Sequence, residues 1–500
     1  MLFNSFSFLI FFPIVVFIYL IIPKKVRYLW LLIASYYFYM CWNPRYVILL
    51  LLSTLITYIS GLLLEKANHS QKDHVTSVKK LIVAFCFITN IGILTFFKYF
   101  NFLLENVNDL LHHFHLSVIS NPFSIILPVG ISFYTFQALS YIMDVYRGKN
   151  NAEKNPFKYA LYVSFFPQLI AGPIERSGTI ISQINETATK KLWNYERITG
   201  GFVLMLWGYF QKMVIADRVG ILVDTVFDNY YMYGTIPLLV GAVGFAIQLY
   251  CDFASYSAIA IGAAKVMGFT LMENFDTPYF ATSIQDFWRR WHISLSTWFR
   301  DYLYFPLGGS RCSKLKKYRN LMITFIVSGL WHGANWTYLV WGALHGLYQI
   351  VGGKLRPTKT KMNEIFHTKT ESFSYRLGQI LVTFALVDFA WIFFRSKSIT
   401  DACRYIYRIF TRFDLWTLFD KSMYSLGLDW MEYNILLGSM VILLLVSLVR
   451  YLLKQPIDVF LSGQCLWFRW AVIFGLLLGI IIFGVYGIDV NSIKFLYFQF

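Results

Sequence analysis

A chain of 500 residues that is 57% hydrophobic and 19% aromatic, with only 14% charged residues, does not have a soluble composition. Soluble domains carry roughly 25% charged and about 45–50% apolar residues. Length alone would allow three or four soluble domains at about 150 residues each, but that reading needs polar linkers between domains, and apolar runs recur from residue 6 to residue 487 instead. A soluble enzyme, a nucleic-acid binder and a disordered scaffold are excluded together, and the chain reads as an all-α polytopic membrane protein. The excess of 44 Lys and Arg over 27 Asp and Glu, net +17, then reflects loops held on the cytoplasmic side near anionic lipid rather than nucleic-acid binding.

A helix needs about 20 apolar residues to cross a bilayer core. The candidate stretches in chain order are 6–22, 28–42, 47–64, 81–99, 123–145, 158–171, 200–216, 236–265, 321–351, 377–394, 433–453 and 467–487. Several are too short or too long for one crossing, so about eleven transmembrane helices are expected, with re-entrant or interfacial helices beside them. The first stretch lacks the basic start and small-residue cleavage site of a signal sequence and reads as a retained span. The short stretches 28–42 and 158–171 are candidates for re-entry, with Pro128, Gly130, Pro167 and Pro173 punctuating such places; irregular backbone at that depth needs protein or a water cavity around it. No internal repeat is visible, which weighs against inverted-repeat transporters.

Basic loops give the orientation. Lys24, Lys25 and Arg27 follow the first span, so the N-terminus is expected outside. Arg289, Arg290, Arg300, Arg311, Lys314, Lys316, Lys317 and Arg319 face a single acid, Asp301, and should be cytoplasmic. Lys454 and Arg469 flank the last loop, so the final span should run outward; residues 395–432 are mixed in sign and give no side. The chain is expected to be one domain, 1–500, ending in an extracytoplasmic aromatic tail, 488–500. Six cysteines, of which Cys41, Cys86 and Cys251 lie in apolar surroundings, form neither a CxxC pair nor a disulfide framework.

Ionisable residues at membrane depth are costly and often mark function. His332 is the clearest, in Phe325-Ile-Val-Ser-Gly-Leu-Trp-His-Gly-Ala-Asn-Trp-Thr337. Gly329 and Gly333 around it, and Gly342 and Gly346 around Ala343-Leu-His345, form small-xxx-small pairs that allow close helix approach. His332 is thus either a packed core histidine or a catalytic one. His292 stands in Gln285-Asp-Phe-Trp-Arg-Arg-Trp-His-Ile-Ser-Leu-Ser-Thr-Trp-Phe-Arg-Asp301, where Trp288, Trp291 and Trp298 with Arg289 and Arg290 suggest a helix lying in the interface. His112, His113 and His115 sit in a polar connection without Cys or paired carboxylates, so no metal is expected there; His69, His74 and His367 carry no signal. Asp252 and Asp388 are lone carboxylates in apolar runs, either proton relays or, the favoured reading, buried partners of Arg or Tyr. No Walker loop, GxGxxG or GxSxG is present, so nucleotide hydrolysis and the usual serine-hydrolase elbow are not indicated.

Ser328-Gly-Leu-Trp-His332-Gly, preceded by Arg289-Arg-Trp-His292-Ile-Ser-Leu-Ser and Arg300-Asp-Tyr-Leu-Tyr-Phe-Pro-Leu-Gly-Gly309, resembles the membrane-bound O-acyltransferase family. The likeness is nearest to the bacterial branch of alginate and peptidoglycan O-acetylation proteins. Gln168-Leu-Ile-Ala-Gly-Pro-Ile-Glu-Arg176, Asp252-Phe-Ala-Ser-Tyr-Ser257 and the opening Leu2-Phe-Asn-Ser-Phe are similar to the same branch, and only 353–432 resembles it little beyond Trp391-Ile-Phe-Phe-Arg395. The resemblance implies a helical bundle around a tunnel through the bacterial plasma membrane, with His332 on the family's near-universal histidine and His292 on a second motif position that is Asn or His. It implies acetyl-CoA as cytoplasmic acyl donor, no metal, and an extracytoplasmic SGNH-type acyltransferase or esterase as partner that reaches the glycan hydroxyl. The ending Phe495-Leu-Tyr-Phe-Gln-Phe500 is similar to the branch's aromatic tail, which would make Tyr497 an acyl relay; without the resemblance it reads as an interfacial belt. Two alternatives stand beside this: D-alanyl transfer from a carrier protein on the same fold, or a non-covalent transporter coupled through Asp252 and Asp388.

Overall fold

The apolar runs fold as helices, and no strand occurs among the described residues, which in this computed structural model are 1–69, 75–121, 123, 127–170 and 172–486. By length and composition, seven described helices can cross a membrane, with Phe6–Ile21 as a shorter apolar helix beside them. The remaining apolar stretches are present as shorter or more polar helices, so the polytopic all-α class holds. The chain divides into two compact units, Met1–Phe202 with Ala260–Met272, and Val203–Ile259 with Glu273–Phe500.

The first unit contains α1 (Phe6–Ile21), α2 (Arg27–Met40), α3 (Val47–Asn68), α4 (Val75–His113), α5 (Ile131–Tyr146), α6 (Pro156–Ser164), α7 (Phe166–Leu169) and α8 (Ser177–Asn185). Glycine governs the α3–α5 contact, since a Cβ on Gly61 would lie 2.6 Å from the Tyr141 hydroxyl. The stretch 158–171 is broken at Phe165 rather than continuous. A break strands backbone carbonyls, and in an apolar setting each needs a donor. Here the Tyr162 carbonyl accepts from two side-chain amides, Gln137 Nε2 at 2.6 Å and Gln168 Nε2 at 2.8 Å. The Phe166 N–H donates to Ser35 Oγ on α2 at 3.1 Å. Stretch 28–42, by contrast, is one short helix, α2.

Two helices run through both units: α9 (Tyr195–Tyr209), which continues through a π-helical turn, Phe210–Ala216, into α10 (Asp217–Asp228), and α11 (Thr235–Val266). The second unit adds α12 (Ile284–Arg290), α13 (Ile293–Phe299), α14 (Lys314–His332), α15 (Trp336–Ile365), α16 (Phe373–Arg395), α17 (Ile399–Thr411), α18 (Trp430–Leu453), α19 (Ile457–Ser462) and α20 (Leu466–Phe483). The π turn exposes backbone acceptors, as such turns do. The Val485 N–H, just past α20, donates to the Met213 carbonyl at 2.9 Å, and Arg218 donates to the carbonyls of Val214 and Phe483, each at 2.8 Å.

The long stretch 321–351 is two antiparallel helices, α14 and α15, that meet backbone to backbone at Gly329 and Gly342. A Cβ on Gly329 would stand 2.2 Å from the Tyr338 carbonyl oxygen, and one on Gly342 would stand 2.3 Å from the Phe325 carbonyl oxygen. A Cβ on Gly346 would stand 3.1 Å from the Met322 sulfur. The small-xxx-small pairs therefore do bring backbones together, as small residues do where helices associate in lipid. Gly342→Val should force α14 and α15 apart, because the clashing atoms are backbone. The expected loss is roughly 1–3 kcal/mol or more, read as a lower midpoint of thermal unfolding in detergent; an unchanged midpoint would contradict the contact.

Candidate active site

His332 is the last residue of α14 and only 6% exposed. The helix ends there because the chain reverses at once. Gly333 gives the room, since a Cβ on it would fall 2.1 Å from the Tyr338 ring. Asn335 then starts α15, its side-chain oxygen accepting from the Thr337 N–H at 3.0 Å. Three aromatic rings meet the His332 imidazole edge to face: Trp331 at 5.0 Å, Trp341 at 5.1 Å and Phe394 at 5.4 Å between centroids. Trp341 stacks in turn on Trp391 at 5.5 Å.

His292 comes from a break in the chain. The run from Gln285 to Asp301 is expected as one interfacial helix, but it folds as α12 and α13 with His292 between them in the left-handed region, φ 43° and ψ 56°. Such a conformation costs about 1–3 kcal/mol in a non-glycine residue. Asn and His are among the residue types enriched there, in keeping with the Asn-or-His alternation that the resemblance implies. The anchor reading of the tryptophans is corrected as well: Trp291 and Trp298 are buried, and Trp288 is half-buried. The break turns Trp291 inward between Phe287 at 5.5 Å and Trp391 at 5.2 Å, so core burial outweighs interfacial placement. Arg289 and Arg300 stay exposed.

His292 is 1% exposed, edge-on to Phe253 at 4.7 Å and 6.0 Å from Trp331. It lies outside the helices long enough to span, and removal from water lowers its pKa from 6.5 to about 3, which keeps the ring neutral. The structure thus brings the two predicted histidines, distant in sequence, to the same indole, that of Trp331. A neutral imidazole in an aromatic, water-poor surround can accept a hydroxyl proton or donate to a developing oxyanion.

Around this pair lie residues that sequence reading passed over. His345 is fully buried, and its Nδ1 accepts from Trp288 Nε1–H at 3.2 Å, which ties α15 to α12; Trp341 separates its ring from that of His332. Its flanking glycines were the only signal. Lys212, in the π turn, is buried between Asp217 Oδ1 at 2.8 Å and Asp252 Oδ1 at 2.5 Å. Asp252 therefore has a lysine as a partner, which the sequence reading did not name, and a lone Lys inside the apolar run 200–216 was the missed clue. The next residue, Phe253, meets His292, so one step of α11 adjoins both the ion cluster and the histidine. Asp388 lies in electrostatic reach of Tyr279 and Tyr405. His112, His113 and His115 are exposed, and no group of three His, Cys, Asp or Glu side chains suited to a metal occurs among the described residues. His74 and Tyr497 lie outside the described residues.

Comparison with known proteins identifies the family. The sequence profile of MBOAT, the membrane-bound O-acyltransferase family, matches residues 150–370, a span that carries both His292 and His332. The chain is 37% identical to the probable alginate O-acetylase AlgI of Pseudomonas aeruginosa over 424 residues, 84% of this chain and 76% of that protein. The chain belongs to the membrane-bound O-acyltransferase family. It is 36% identical to the peptidoglycan O-acetyltransferase of Helicobacter pylori, covering 75% of this chain and 72% of that one. A more distant relative is the teichoic acid D-alanyltransferase of Bacillus subtilis, 27% identical over 55% of this chain and 70% of that one. This membrane-bound O-acyltransferase is therefore a multi-pass membrane enzyme that transfers acyl groups to hydroxyls.

The buried Lys212 of this membrane-bound O-acyltransferase makes a separate test. Lys212→Met would leave Asp217 and Asp252 buried without their cation, a loss of about 3–5 kcal/mol. The expected result is a collapse of the monodisperse fraction on gel filtration in detergent. Adding Asp217→Asn and Asp252→Asn to the same chain should restore most of it; equal loss in single and triple variants would rule out charge as the cause.

Proposed function

We propose that this enzyme takes an acetyl group from cytoplasmic acetyl-CoA and passes it across the bacterial plasma membrane for O-acetylation of an exported or cell-wall polysaccharide. The observation that carries this reading is the meeting of His292 and His332 at Trp331, within a chain similar to proteins named for alginate and peptidoglycan O-acetylation. The whole chain acts as one domain with both termini outside, and an SGNH-type partner makes the final transfer to the glycan. The basic segment 289–319 attracts the phosphates of CoA to the cytoplasmic mouth, where charge-assisted bonds hold them.

His332 is the general base and Tyr497, in the C-terminal tail, the acyl relay. The tyrosine oxygen attacks the thioester carbonyl as its proton passes to His332; the C–S bond breaks, and the departing thiolate recovers that proton as CoA-SH. With reference pKa values of about 10 for tyrosine and about 6.5 for histidine, complete prior proton transfer would be uphill by roughly 5 kcal/mol, so proton transfer accompanies attack. The resulting aryl ester stays activated for a second transfer outside. His292 donates to the oxyanion or orients the acyl group.

The test is incubation of purified protein with radiolabelled acetyl-CoA, following CoA release and label on the chain. Label is expected on the wild type and absent from His332→Ala and Tyr497→Phe, both expressed at normal levels. Undiminished label in Tyr497→Phe would remove the relay, and an active His332→Ala would remove the base. A wild type inert toward acetyl-CoA would favour a D-alanyl carrier as donor, a reading supported by the likeness to the teichoic acid D-alanyltransferase.

A further inference from the structure

His292 adopts a left-handed conformation, which persists only where the surroundings over-determine it. One short segment, Glu273–Thr277, pairs with the backbone on both sides of this residue. The Ile293 N–H donates to the Asn274 carbonyl at 2.9 Å, and the Asp276 N–H donates to the Arg290 carbonyl at 2.9 Å, so the segment brackets His292 on both sides. The Asn274 side chain, 1% exposed, completes the grip. Its Oδ1 accepts from the Ser294 hydroxyl at 2.6 Å and from the Ser294 N–H at 3.4 Å, while its Nδ2 donates to Ser257 Oγ on α11 at 3.0 Å.

Ser257 stands one helical turn beyond Phe253, the residue whose ring meets His292. Asn274 thus fastens the turn that follows His292 to the helix that His292 packs against. The segment is itself anchored. Arg450 on α18 pairs with Glu273 at 2.5 Å and Asp276 at 3.4 Å and donates to the Phe275 carbonyl at 2.9 Å, while Arg290 reaches Asp276 at 3.9 Å. Thr277, at the segment's end, is also left-handed, at φ 42°. A β-branched residue adopts that conformation only under constraint, so both paired segments are held rather than relaxed.

We infer that Asn274 is the positioning residue of His292: by clamping residues 293 and 294 to α11 it sets the direction in which the imidazole faces the acyl-transfer site. It touches no reacting group and acts through the histidine alone. The inference rests on the reading above that His292 belongs to the transfer machinery. Precise placement of a group that stabilises a transition state is worth large factors in rate, since a small displacement forfeits its interaction.

The test is a double-mutant cycle on the intact protein, read as the single-turnover rate of CoA release from acetyl-CoA, its saturating value taken as kcat and its half-saturation as KM. Asn274→Ala should lower kcat about 10- to 100-fold with KM little changed, and Asn274→Asp should regain part of it, because both serine hydroxyls can donate to a carboxylate. Ser294→Ala, which removes one bond and leaves the fold intact, should show a smaller loss of the same kind. In a His292→Ala background, Asn274→Ala should cost no more than about twofold. An equal loss with and without His292 would overturn the inference, as would wild-type kcat in both Asn274→Ala and Ser294→Ala. Wild-type activity of His292→Ala would instead remove His292 from the machinery and the inference with it. That result is distinct from an inactive His292→Ala beside an unaffected Asn274→Ala.

Discussion

The candidate site depends on two helices touching backbone to backbone. Where α14 and α15 cross, Gly329 and Gly342 remove the side chains that would hold them apart. That closeness places Trp341 beside His332 and allows Gly333 to end one helix where Tyr338 begins to cover it. Lipid supplies no hydrophobic drive for helices to associate, so van der Waals fit has to do it. An alanine at either glycine would collide with peptide atoms, which no rotamer change can move.

A second constraint comes from the apolar solvent. Backbone that leaves helical geometry loses its internal partners, and neither lipid nor a packed core replaces them. The protein meets this with side-chain amides and hydroxyls at two irregular points. Gln137 and Gln168 satisfy the Tyr162 carbonyl at the break after α6, and Asn274 and Ser294 support the turn at His292. Buried charge is treated the same way, with one lysine set between two aspartates rather than either aspartate left alone. At these points irregular backbone coincides with polar side chains, once in each unit, and the turn at His292 is one of the two.

Much of this was legible in the residues. The apolar runs announced the helices, the glycine pairs announced the α14–α15 crossing, and the two motif histidines were identifiable before any coordinates. The break at Trp291–His292 was not, because no glycine or proline marks it; an Arg-Trp-His run looks helical, and the conformation is imposed by a segment that precedes it in sequence and pairs across it. Lys212 was passed over because a search for histidines and carboxylates ignores cations. The partner of Asp252 could not be read from sequence, because a residue in the preceding helix supplies it. Local pattern predicts where helices lie; which polar atoms meet inside depends on packing that no window of sequence contains.

The widened turn at Phe210–Ala216 carries one more consequence. It presents the carbonyl of Met213 to the N–H of Val485, so the helix that ends the described chain is tied to the middle of the fold by an atom common to every amino acid. Replacing Met213 with any other residue leaves that oxygen in place, and only proline at 485 would delete the donor. A survey of function by side-chain substitution would therefore pass over this tie, although it fixes where the polypeptide leaves α20. Its presence would register in backbone chemistry instead, as an amide at 485 slow to exchange its hydrogen, or as an ester substituted for the peptide link that supplies it.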